Sequence, residues 1–297
     1  MIHVQRSSRF VRALIAALAL ALVVAGGAIA AEGVHWSYSG ESGPEHWGDL
    51  SPDFATCAKG AEQSPVDIPA DAALNAADIS FNYQPSALTI VNNGHTIQVN
   101  YDKGSSITLN GVRYDLVQFH FHAHSEHALA GQFAPLELHL VHKNAKGGLA
   151  VVGVLLKAGA ENPAFASVLD NLPAAAGEPQ AVSGASVDAN QLAPATRTYW
   201  RYNGSLTTPP CTEGVQWLVM NTPVELSDAQ IAKYTAIYNA NARPLQPFNS
   251  RTFLLTLTLP VTGDVSISFD AALLLTGALL MLAGLALLLL RRKLTVG

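Results

Sequence analysis

The sequence predicts an α+β fold, in which a single domain is built on a large, mainly antiparallel central β-sheet with short peripheral helices. Short segments of alternating apolar residues recur through the middle of the chain, with Gly, Pro, Asn or Asp between them, which is typical of strands joined by turns. Residues 150–156 are continuously apolar, which indicates a central strand buried on both faces. Within this part of the chain, helical patterns are confined to residues 164–172 and 227–239.

The expected elements follow one another along the chain. Strands are expected over residues 79–83, 87–91, 96–101, 107–109, 114–121, 136–142, 149–157, 196–203 and 215–220. The Asn-Gly pair at residues 110–111 is a strong hairpin signal, because both residue types tolerate the positive φ angles of a tight turn. Pro163 precedes the first helix, and Ser227 is the expected N-cap of the second. Residues 36–66 and 174–184 are expected to be irregular.

Histidines concentrate in the middle of the chain, where six of the ten lie within residues 120–142. The run Gln-Phe-His-Phe-His that ends at His122 alternates polar and aromatic side chains. Successive side chains of a strand point to opposite faces, so His120 and His122 share a face with Gln118. A second alternating run, Glu-Leu-His-Leu, places His139 on one face of the next strand. If the two faces coincide in an antiparallel pair, three imidazoles converge on one point.

Three converging imidazoles favour Zn²⁺, because neutral ligands leave the ion its full charge and one open coordination position. Each ligand also needs a partner for its second ring nitrogen. Gln118 lies two residues before His120, and Glu137 lies two before His139, so both are on the correct faces for that role. The alternative is a set of buried histidines held only by hydrogen bonds, which two alternating histidine strands make the weaker interpretation.

The motifs around these histidines resemble those of the α-class carbonic anhydrases, and the resemblance extends from about Trp36 to Arg251. Its motifs occur in one order: GPEHW (43–47), QSPVDI (63–68), NNGH (92–95), QFHFH (118–122), SEH (125–127), ELHLVH (137–142) and NGSLTTPPC (203–211). The resemblance implies the same fold class and reversible hydration of carbon dioxide to bicarbonate and a proton by a zinc-bound hydroxide. The implied Zn²⁺ ligands are His120, His122 and His139.

The resemblance also implies how residues near the metal act. Thr207 would donate its hydroxyl hydrogen to the Glu126 carboxylate and so orient the hydroxide for attack. His95 would carry the product proton to bulk buffer as a shuttle. The residues that match the positions ordering the intervening water are Tyr38, Asn93 and Gln98. The glutamine at residue 98 differs from the asparagine common at that position.

An apolar wall beside the metal is expected, because carbon dioxide offers almost nothing for polar recognition. The residues that the resemblance places there are Val141, Val151, Leu206, Val215 and Trp217. From the sequence alone, these side chains could equally be ordinary core residues. Thr208 would lie beside bound bicarbonate, and a backbone carbonyl near Asn241 would orient His122.

The remaining histidines of this region have no assigned role in the chemistry. His127 and His142 are interpreted as parts of a hydrogen-bonded framework rather than as ligands. His124 occupies a position where many bacterial relatives have proline. We interpret His124 as a bystander, with a second shuttle or an incidental metal contact as the alternatives.

The two ends of the chain lie outside the expected domain of residues 31–258. Residues 1–30 combine three arginines, a short apolar run and an A-x-A site, which predicts a signal peptide cut after Ala30 or Ala31; an uncleaved anchor is the weaker interpretation. Residues 271–290 form an uncharged apolar span, followed by the basic tail of residues 291–297. This order is typical of a membrane-entering helix with a cytoplasmic tail.

The linker of residues 259–270 leaves two fates open for the exported protein. It begins with Leu-Pro-Val-Thr-Gly, which matches the LPxTG signal read by sortases. Either a sortase cleaves after Thr262 and attaches the protein to the cell envelope, or the apolar helix stays in the membrane as an anchor. Both alternatives predict a protein exported to the periplasm or cell surface.

The charge balance excludes one class of partner. The two ends hold six of the 17 basic residues and none of the 22 acidic ones, so residues 31–270 carry 11 basic residues against 22 acidic. A domain so acidic is not expected to bind nucleic acid or anionic lipid. The expected partner is a small-molecule substrate, carbon dioxide or bicarbonate.

The chain has two cysteines, Cys57 and Cys211. In an exported domain the oxidising surroundings favour a disulfide between them, and the resemblance implies the same pairing. Two free buried thiols are the alternative.

Two other functions stay open at the level of sequence. A catalytically silent binding module on the same fold would lack ligands, hydroxyl–carboxylate pair or shuttle, whereas this chain has all three. A zinc esterase would use the same hydroxide, and comparing turnover on carbon dioxide with turnover on activated esters would distinguish it.

Overall fold

The computed structural model describes residues 34–75 and 79–254. Their strands are β1 Asp67–Ile68, β2 Ile79–Asn82, β3 Ser86–Asn92, β4 Ile97–Asn100, β5 Ser106–Leu109, β6 Val112–Ala123, β7 Ala128–Leu129, β8 Gln132–Phe133, β9 Leu136–Lys143, β10 Leu149–Ala158, β11 Gln180–Val187, β12 Tyr199–Ser205, β13 Glu213–Met220 and β14 Val224–Leu226. The α-helices are Trp47–Leu50, Thr56–Lys59, Ala166–Leu169, Ala189–Leu192 and Asp228–Thr235, and the 3₁₀ helices are Gly40–Ser42, Pro52–Phe54 and Pro163–Phe165.

Eleven strands of this part of the chain form one large sheet. Its main path runs β11-β3-β4-β6-β9-β10-β13-β12, with β5 and β2 continuing from β6, and β14 pairing with β10. Neighbouring strands are antiparallel except where β10 pairs with β13 and β14. The predicted fold class, one domain on a large and mainly antiparallel sheet with short helices, is confirmed.

The large sheet lies between two apolar clusters. Val151 and Val152 are neighbours on β10, yet they belong to different clusters, because successive side chains of a strand point to opposite faces. All of residues 150–156 are buried, as the continuous apolar run predicts. The larger cluster contains the side chains of Phe119 and Phe121 on β6. Since successive side chains alternate, His120 and His122 point to the other face.

Some sequence-predicted boundaries are wrong. Residues 180–187 form an edge strand paired with β3, although residues 174–184 are predicted as irregular; this strand is mostly exposed and contains a register shift, so it has no regular apolar alternation. The lead-in, predicted as irregular, contains four short helical turns between Gly40 and Lys59. Strands β1, β7, β8 and β14 have two or three residues each and are too short to produce a periodic pattern.

The two strongest local signals are confirmed. Asn110 and Gly111 have φ angles of 49° and 76° in the tight turn between β5 and β6, where Leu109 pairs with Val112. Ser227 caps the last helix in a capping box with Gln230. That helix ends at Thr235 rather than at the predicted residue 239.

The predicted signal peptide, the LPVTG-containing linker, the apolar span at residues 271–290 and the basic tail lie outside the described residues. None of the helices found within residues 34–75 and 79–254 has the length and apolar composition to cross a membrane.

Cys57 and Cys211 form a disulfide, which confirms the pairing expected for an exported protein. Their Cα atoms are 5.0 Å apart, across a sequence separation of 154 residues. Both cysteines are buried in a small cluster with Trp47. The bridge therefore ties the lead-in to the segment that carries Thr207 and Thr208.

We predict that the double substitution Cys57→Ala/Cys211→Ala lowers the free energy of unfolding by up to about 4–5 kcal/mol, because the bridge closes a very long loop. Denaturant unfolding of the purified protein measures this loss. The wild type should approach the double variant when a reductant is added, while the variant should be insensitive to it. If alkylation of the wild type, unfolded without reductant, labels two thiols, the bridge is contradicted.

Candidate metal centre

Strands β6 and β9 bring His120, His122 and His139 together. Their antiparallel register places His120 directly opposite His139. The ring centroids lie 5.0 Å apart for His120 and His122, 5.3 Å for His120 and His139, and 4.6 Å for His122 and His139. Each ring offers a nitrogen within 4.8 Å of the others, so the three side chains could hold one metal ion.

The second nitrogen of each ring faces a fixed partner. His120 Nδ1 donates to Gln118 Oε1 over 2.9 Å, and His122 Nδ1 donates to the Asn241 backbone carbonyl over 2.7 Å. His139 Nε2 lies 3.0 Å from Glu137 Oε1, although the angle is poor for a hydrogen bond. These contacts leave Nε2 of His120, Nε2 of His122 and Nδ1 of His139 for a metal.

The site fits zinc on two counts. His122 Nε2 is buried and has no hydrogen-bond partner among the described residues, a costly state unless a ligand completes it. Burial, and then the neighbouring imidazoles, hold the pKa of His120 well below its usual value; burial is also the main cause that lowers the pKa of His122. Both rings are therefore kept in the neutral form that binds metal.

Glu137 is fully buried and strongly compensated. Its Oε2 accepts from the backbone N–H groups of Glu126 and His127, both over 2.8 Å, and its Oε1 accepts from His127 Nδ1 over 2.8 Å. Burial alone would raise the pKa of this carboxyl, but His127 and His139 outweigh it and the pKa is well below its usual value. The group His127, Glu137 and His139 also has metal-like spacing, but these hydrogen bonds identify it as the support of the first site.

Glu126 is also fully buried beside the histidines. Its Oε1 accepts from the Arg243 backbone N–H over 2.8 Å, while its Oε2 lies 3.5 Å from His122 Nε2. This Oε2 has no hydrogen-bond partner in the part of the chain that the structure describes. The hydrogen bond expected from Thr207 is therefore not formed, although Thr207 is itself buried.

A cleft of about 130 Å³ opens onto the histidines. Its lining brings together all four residues expected to handle the proton, Tyr38, Asn93, His95 and Gln98. The other lining residues are Trp36, Thr96, Gln118, His120, His122 and Thr208. His95 stacks on Trp36, with ring centroids 3.7 Å apart and an interplanar angle of 6°. Partial burial, and then nearby His35, lower the pKa of His95.

The expected apolar wall is a contiguous cluster. Val151, Val215 and Trp217 are buried in the smaller apolar cluster. Val141 and Leu206 are partly buried against it. The Trp217 ring meets His139 edge to face, with centroids 4.8 Å apart, so this apolar surface adjoins the candidate metal centre.

Two other histidines of this region, His142 and His124, make hydrogen bonds of their own. His142 is buried, with Nε2 2.9 Å from the Tyr83 hydroxyl, and burial lowers its pKa to about 4. His124 is exposed, hydrogen-bonds through Nδ1 to the Ser125 carbonyl and packs near Phe133. It belongs to neither group with metal-ligand spacing among the described residues.

Sequence reasoning missed two residues near the site. Trp36 stacks on His95. The buried Arg243 donates its backbone N–H to the Glu126 carboxylate. Its guanidinium donates to Gln63, the Ser64 carbonyl and the Cys57 carbonyl. Neither produces a periodic pattern in the sequence, because a stacking partner and a single buried arginine do not repeat. An arginine in an apolar context, between Ala242 and Pro244, is the only hint.

Comparison with known proteins leads to one family. The model of the eukaryotic-type carbonic anhydrase family matches residues 42–256. A carbonic anhydrase from Nostoc sp. is 47% identical over 226 residues, covering 74% of this chain and 86% of that protein. One from Klebsiella pneumoniae is 44% identical over 223 residues, covering 74% of this chain and 90% of that protein.

A solved structure leads to the same family. The α-carbonic anhydrase from Thermovibrio ammonificans, in complex with the inhibitor sulfanilamide, superposes with a TM-score of 0.72. It is 44% identical in sequence, and the match covers 75% of this chain and 100% of that one. The chain therefore belongs to the eukaryotic-type, or α-class, carbonic anhydrase family.

Proposed function

We propose that this protein catalyses the reversible hydration of carbon dioxide to bicarbonate and a proton with a zinc ion held by three histidines. The observation that carries the proposal is the convergence of His120, His122 and His139, with a buried and unpartnered ring nitrogen on His122. The apolar cluster beside Trp217 supplies a surface suited to an apolar substrate.

The residues that would hold zinc are His120 and His122 through Nε2 and His139 through Nδ1. Bound by three neutral ligands, zinc would lower the pKa of a water molecule to about 7 and so supply a nucleophile near neutral pH. Gln118, the Asn241 carbonyl and Glu137 face the remaining ring nitrogens. The first two hydrogen bonds would fix the orientation of His120 and His122, and Glu137 would orient His139.

Thr207 and Glu126 would orient the nucleophile. A carboxylate oxygen only accepts hydrogen bonds, so a Thr207 hydroxyl that donates to Glu126 can only accept from the attacking group. The unpartnered Oε2 of Glu126 is the oxygen available for that bond, and catalytic hydrogen bonds often tighten only when substrate is present. The backbone N–H of Arg243 holds the other oxygen in place.

The substrate would bind and the proton would leave at different parts of the site. Carbon dioxide would rest on Val141, Val151, Leu206, Val215 and Trp217, with Thr208 beside the bicarbonate product. The proton would travel through water ordered by Tyr38, Asn93 and Gln98 to His95, which lines the same cleft. The lowered pKa of His95 keeps the ring neutral, and able to accept a proton, at neutral pH.

We predict that His139→Ala removes most of the bound zinc and most of the carbon dioxide hydration, because zinc loses one of its three neutral ligands. Elemental analysis of the purified protein and stopped-flow hydration, with and without a zinc chelator, measure both. The matched control is His124→Ala, which removes an exposed histidine and should change neither. Full zinc content in His139→Ala would contradict the ligand set.

In the same assays, Glu137→Ala should keep its zinc but bind it roughly 10- to 100-fold more weakly, since Glu137 would orient a ligand without touching the metal.

Wild type with zinc bound but no hydration of carbon dioxide would contradict the proposed activity itself.

We predict that His95→Ala slows steady turnover in weak buffer while leaving the interconversion at chemical equilibrium nearly unchanged, because only proton export is impaired. Stopped-flow assays at low buffer measure the first rate, and isotope exchange between carbon dioxide and bicarbonate measures the second. Small imidazole buffers should restore part of the loss. Unchanged turnover at low buffer would place the shuttle elsewhere, with His124 as the next candidate.

We further propose that the protein is exported by its signal peptide and held at the cell envelope by its C-terminal segment. The disulfide supports a location outside the cytoplasm. Two forms of attachment remain, sortase cleavage at LPVTG or a permanent membrane anchor at residues 271–290, and they predict different mature C-termini.

Mass spectrometry of the mature protein from its native host distinguishes these forms. Sortase processing predicts a C-terminal peptide that ends at Thr262, with or without an attached envelope group. A permanent anchor predicts intact peptides that extend beyond Gly263 in detergent-extracted membranes. A soluble protein that retains residues 271–290 would contradict both.

A further inference from the structure

A groove of about 620 Å³ lies between the chain that follows β4 and strand β6. Among the residues that line it, three are aromatic or apolar and three are charged: Tyr101, Leu116 and Val117, with Lys103, Arg113 and Asp115. A cavity of roughly 300–1,000 Å³ with apolar walls and a few charged groups has the size and composition of a small-molecule site. Val117 precedes Gln118, which lines the metal cleft, so the groove and the cleft are neighbours along β6.

The groove forms because residues 102–104 leave the sheet. The Tyr101 N–H donates to the Val117 carbonyl over 3.0 Å, and the Leu116 N–H donates to the Ser105 carbonyl over 2.9 Å. Adjacent residues of β6 thus bond to residues four apart in the facing chain. The three residues between them form a loop beside β6, and the groove is the space that this loop leaves.

The loop is held on both sides, so the groove exists before a ligand binds. Asp102 Oδ2 accepts from the Ala87 N–H over 3.0 Å, and the Asp102 N–H donates to Ser86 Oγ over 3.0 Å. On the side of β6, Arg113 Nη2 donates to the Gly104 carbonyl over 3.4 Å. A site that is already formed loses little conformational entropy when it binds a ligand.

The cations of the groove have donors left for a ligand. Arg113 uses Nε for Asp115 Oδ1, over 2.8 Å, and Nη2 for the loop, which leaves Nη1 with no protein acceptor in the described part of the chain. Among the residues that the structure describes, no acidic side chain pairs with the Lys103 ammonium. Lys143 lies opposite Asp115 in the register of β6 and β9. Three cations therefore lie around one carboxylate.

This local charge is opposite to that of the domain. Residues 31–270 carry 11 basic residues against 22 acidic. The other acidic residue of the loop, Asp102, has its carboxylate hydrogen-bonded to the backbone of β3, so it does not cancel the cations of the groove. A local excess of positive charge attracts anions even where the whole domain is negative.

We infer that this groove binds a carboxylate that carries an apolar chain, such as a medium-chain fatty acid. The carboxylate would accept charge-assisted hydrogen bonds from Arg113 and Lys103. The chain would lie along Val117, whose side chain is 47% exposed, and burial of that apolar surface would stabilise the complex. None of the lining residues is a candidate zinc ligand, so the inference goes beyond the proposed function and does not depend on the metal.

The first test is calorimetric titration of the purified, zinc-loaded protein with octanoate, octanol and acetate. Octanoate has both the charge and the chain, octanol has only the chain, and acetate has only the charge. We expect octanoate to bind at least about 10-fold more tightly than either, because each of the others lacks one part of the interaction. If octanoate does not bind, or if either analogue binds as tightly, the inference is overturned.

Two surface variants with opposite expected effects locate the ligand. Lys103→Gln/Arg113→Gln should weaken octanoate binding roughly 10-fold, because it removes both charged donors. Asp115→Asn should strengthen binding about 3-fold, because it removes the carboxylate that competes for Arg113. Unchanged affinity in the double variant would show that the ligand lies elsewhere.

The matched control is Lys157→Gln/Lys233→Gln. It lowers the net charge by the same amount at two exposed lysines that lie outside the groove and pair with Glu225 and Asp170. This variant should bind octanoate as the wild type does. Equal weakening in the two double variants would assign the effect to net charge and contradict the inference.

The metal centre is the competing site, because a carboxylate oxygen can also bind zinc. Amide spectra of the zinc-loaded protein separate the two sites. Octanoate should shift the signals of Gly104 and Val117 and leave those of His122 and His139 unchanged; shifts confined to the two histidines would place octanoate on the metal and overturn the inference. A wild type that binds octanoate in the groove but hydrates no carbon dioxide supports this inference and contradicts only the proposed function.

Discussion

The antiparallel pairing of β6 with β9 is the constraint on which the metal centre depends. Its register sets His120 opposite His139 and His122 opposite Glu137. A slip of one residue would turn one set of side chains to the other face of the sheet. The aromatic side chains of Phe119 and Phe121, fully buried in the larger cluster, make such a slip costly. The core on one face thus holds the three histidines on the other.

The second constraint is electrostatic. Glu126 and Glu137 are both fully buried, and a carboxylate taken out of water is costly unless hydrogen bonds compensate it. Glu137 has three donors within 2.8 Å. Within residues 34–75 and 79–254, Glu126 has one donor, the backbone of Arg243, and its other oxygen has no hydrogen-bond partner. The difference fits the roles proposed for them, since a supporting carboxylate is held by several donors whereas an orienting carboxylate needs one oxygen left open.

Local periodicity explains what the sequence can predict. The alternation around His120 and His139, the apolar run of β10 and the cap at Ser227 are each set by neighbouring residues, and each is found in the structure. The edge strand at residues 180–187 is exposed and irregular, so its pairing with β3 depends on the sheet it joins. Trp36 and Arg243 act on partners far along the chain, and no pattern within a short window encodes such contacts.

The candidate site combines regular strands, which carry the histidines, with an irregular segment, which carries the threonines. The histidines lie on central strands, where paired neighbours fix the ring positions within the narrow limits that a metal requires. Thr207 and Thr208 lie on an irregular segment after β12. That segment is restrained by the Cys57–Cys211 disulfide at one end and by Ser64 and Ser205 at the other. Because Arg243 also links Cys57 and Ser64 to Glu126, the lead-in, the threonine segment and the carboxylate are held as one unit against the sheet.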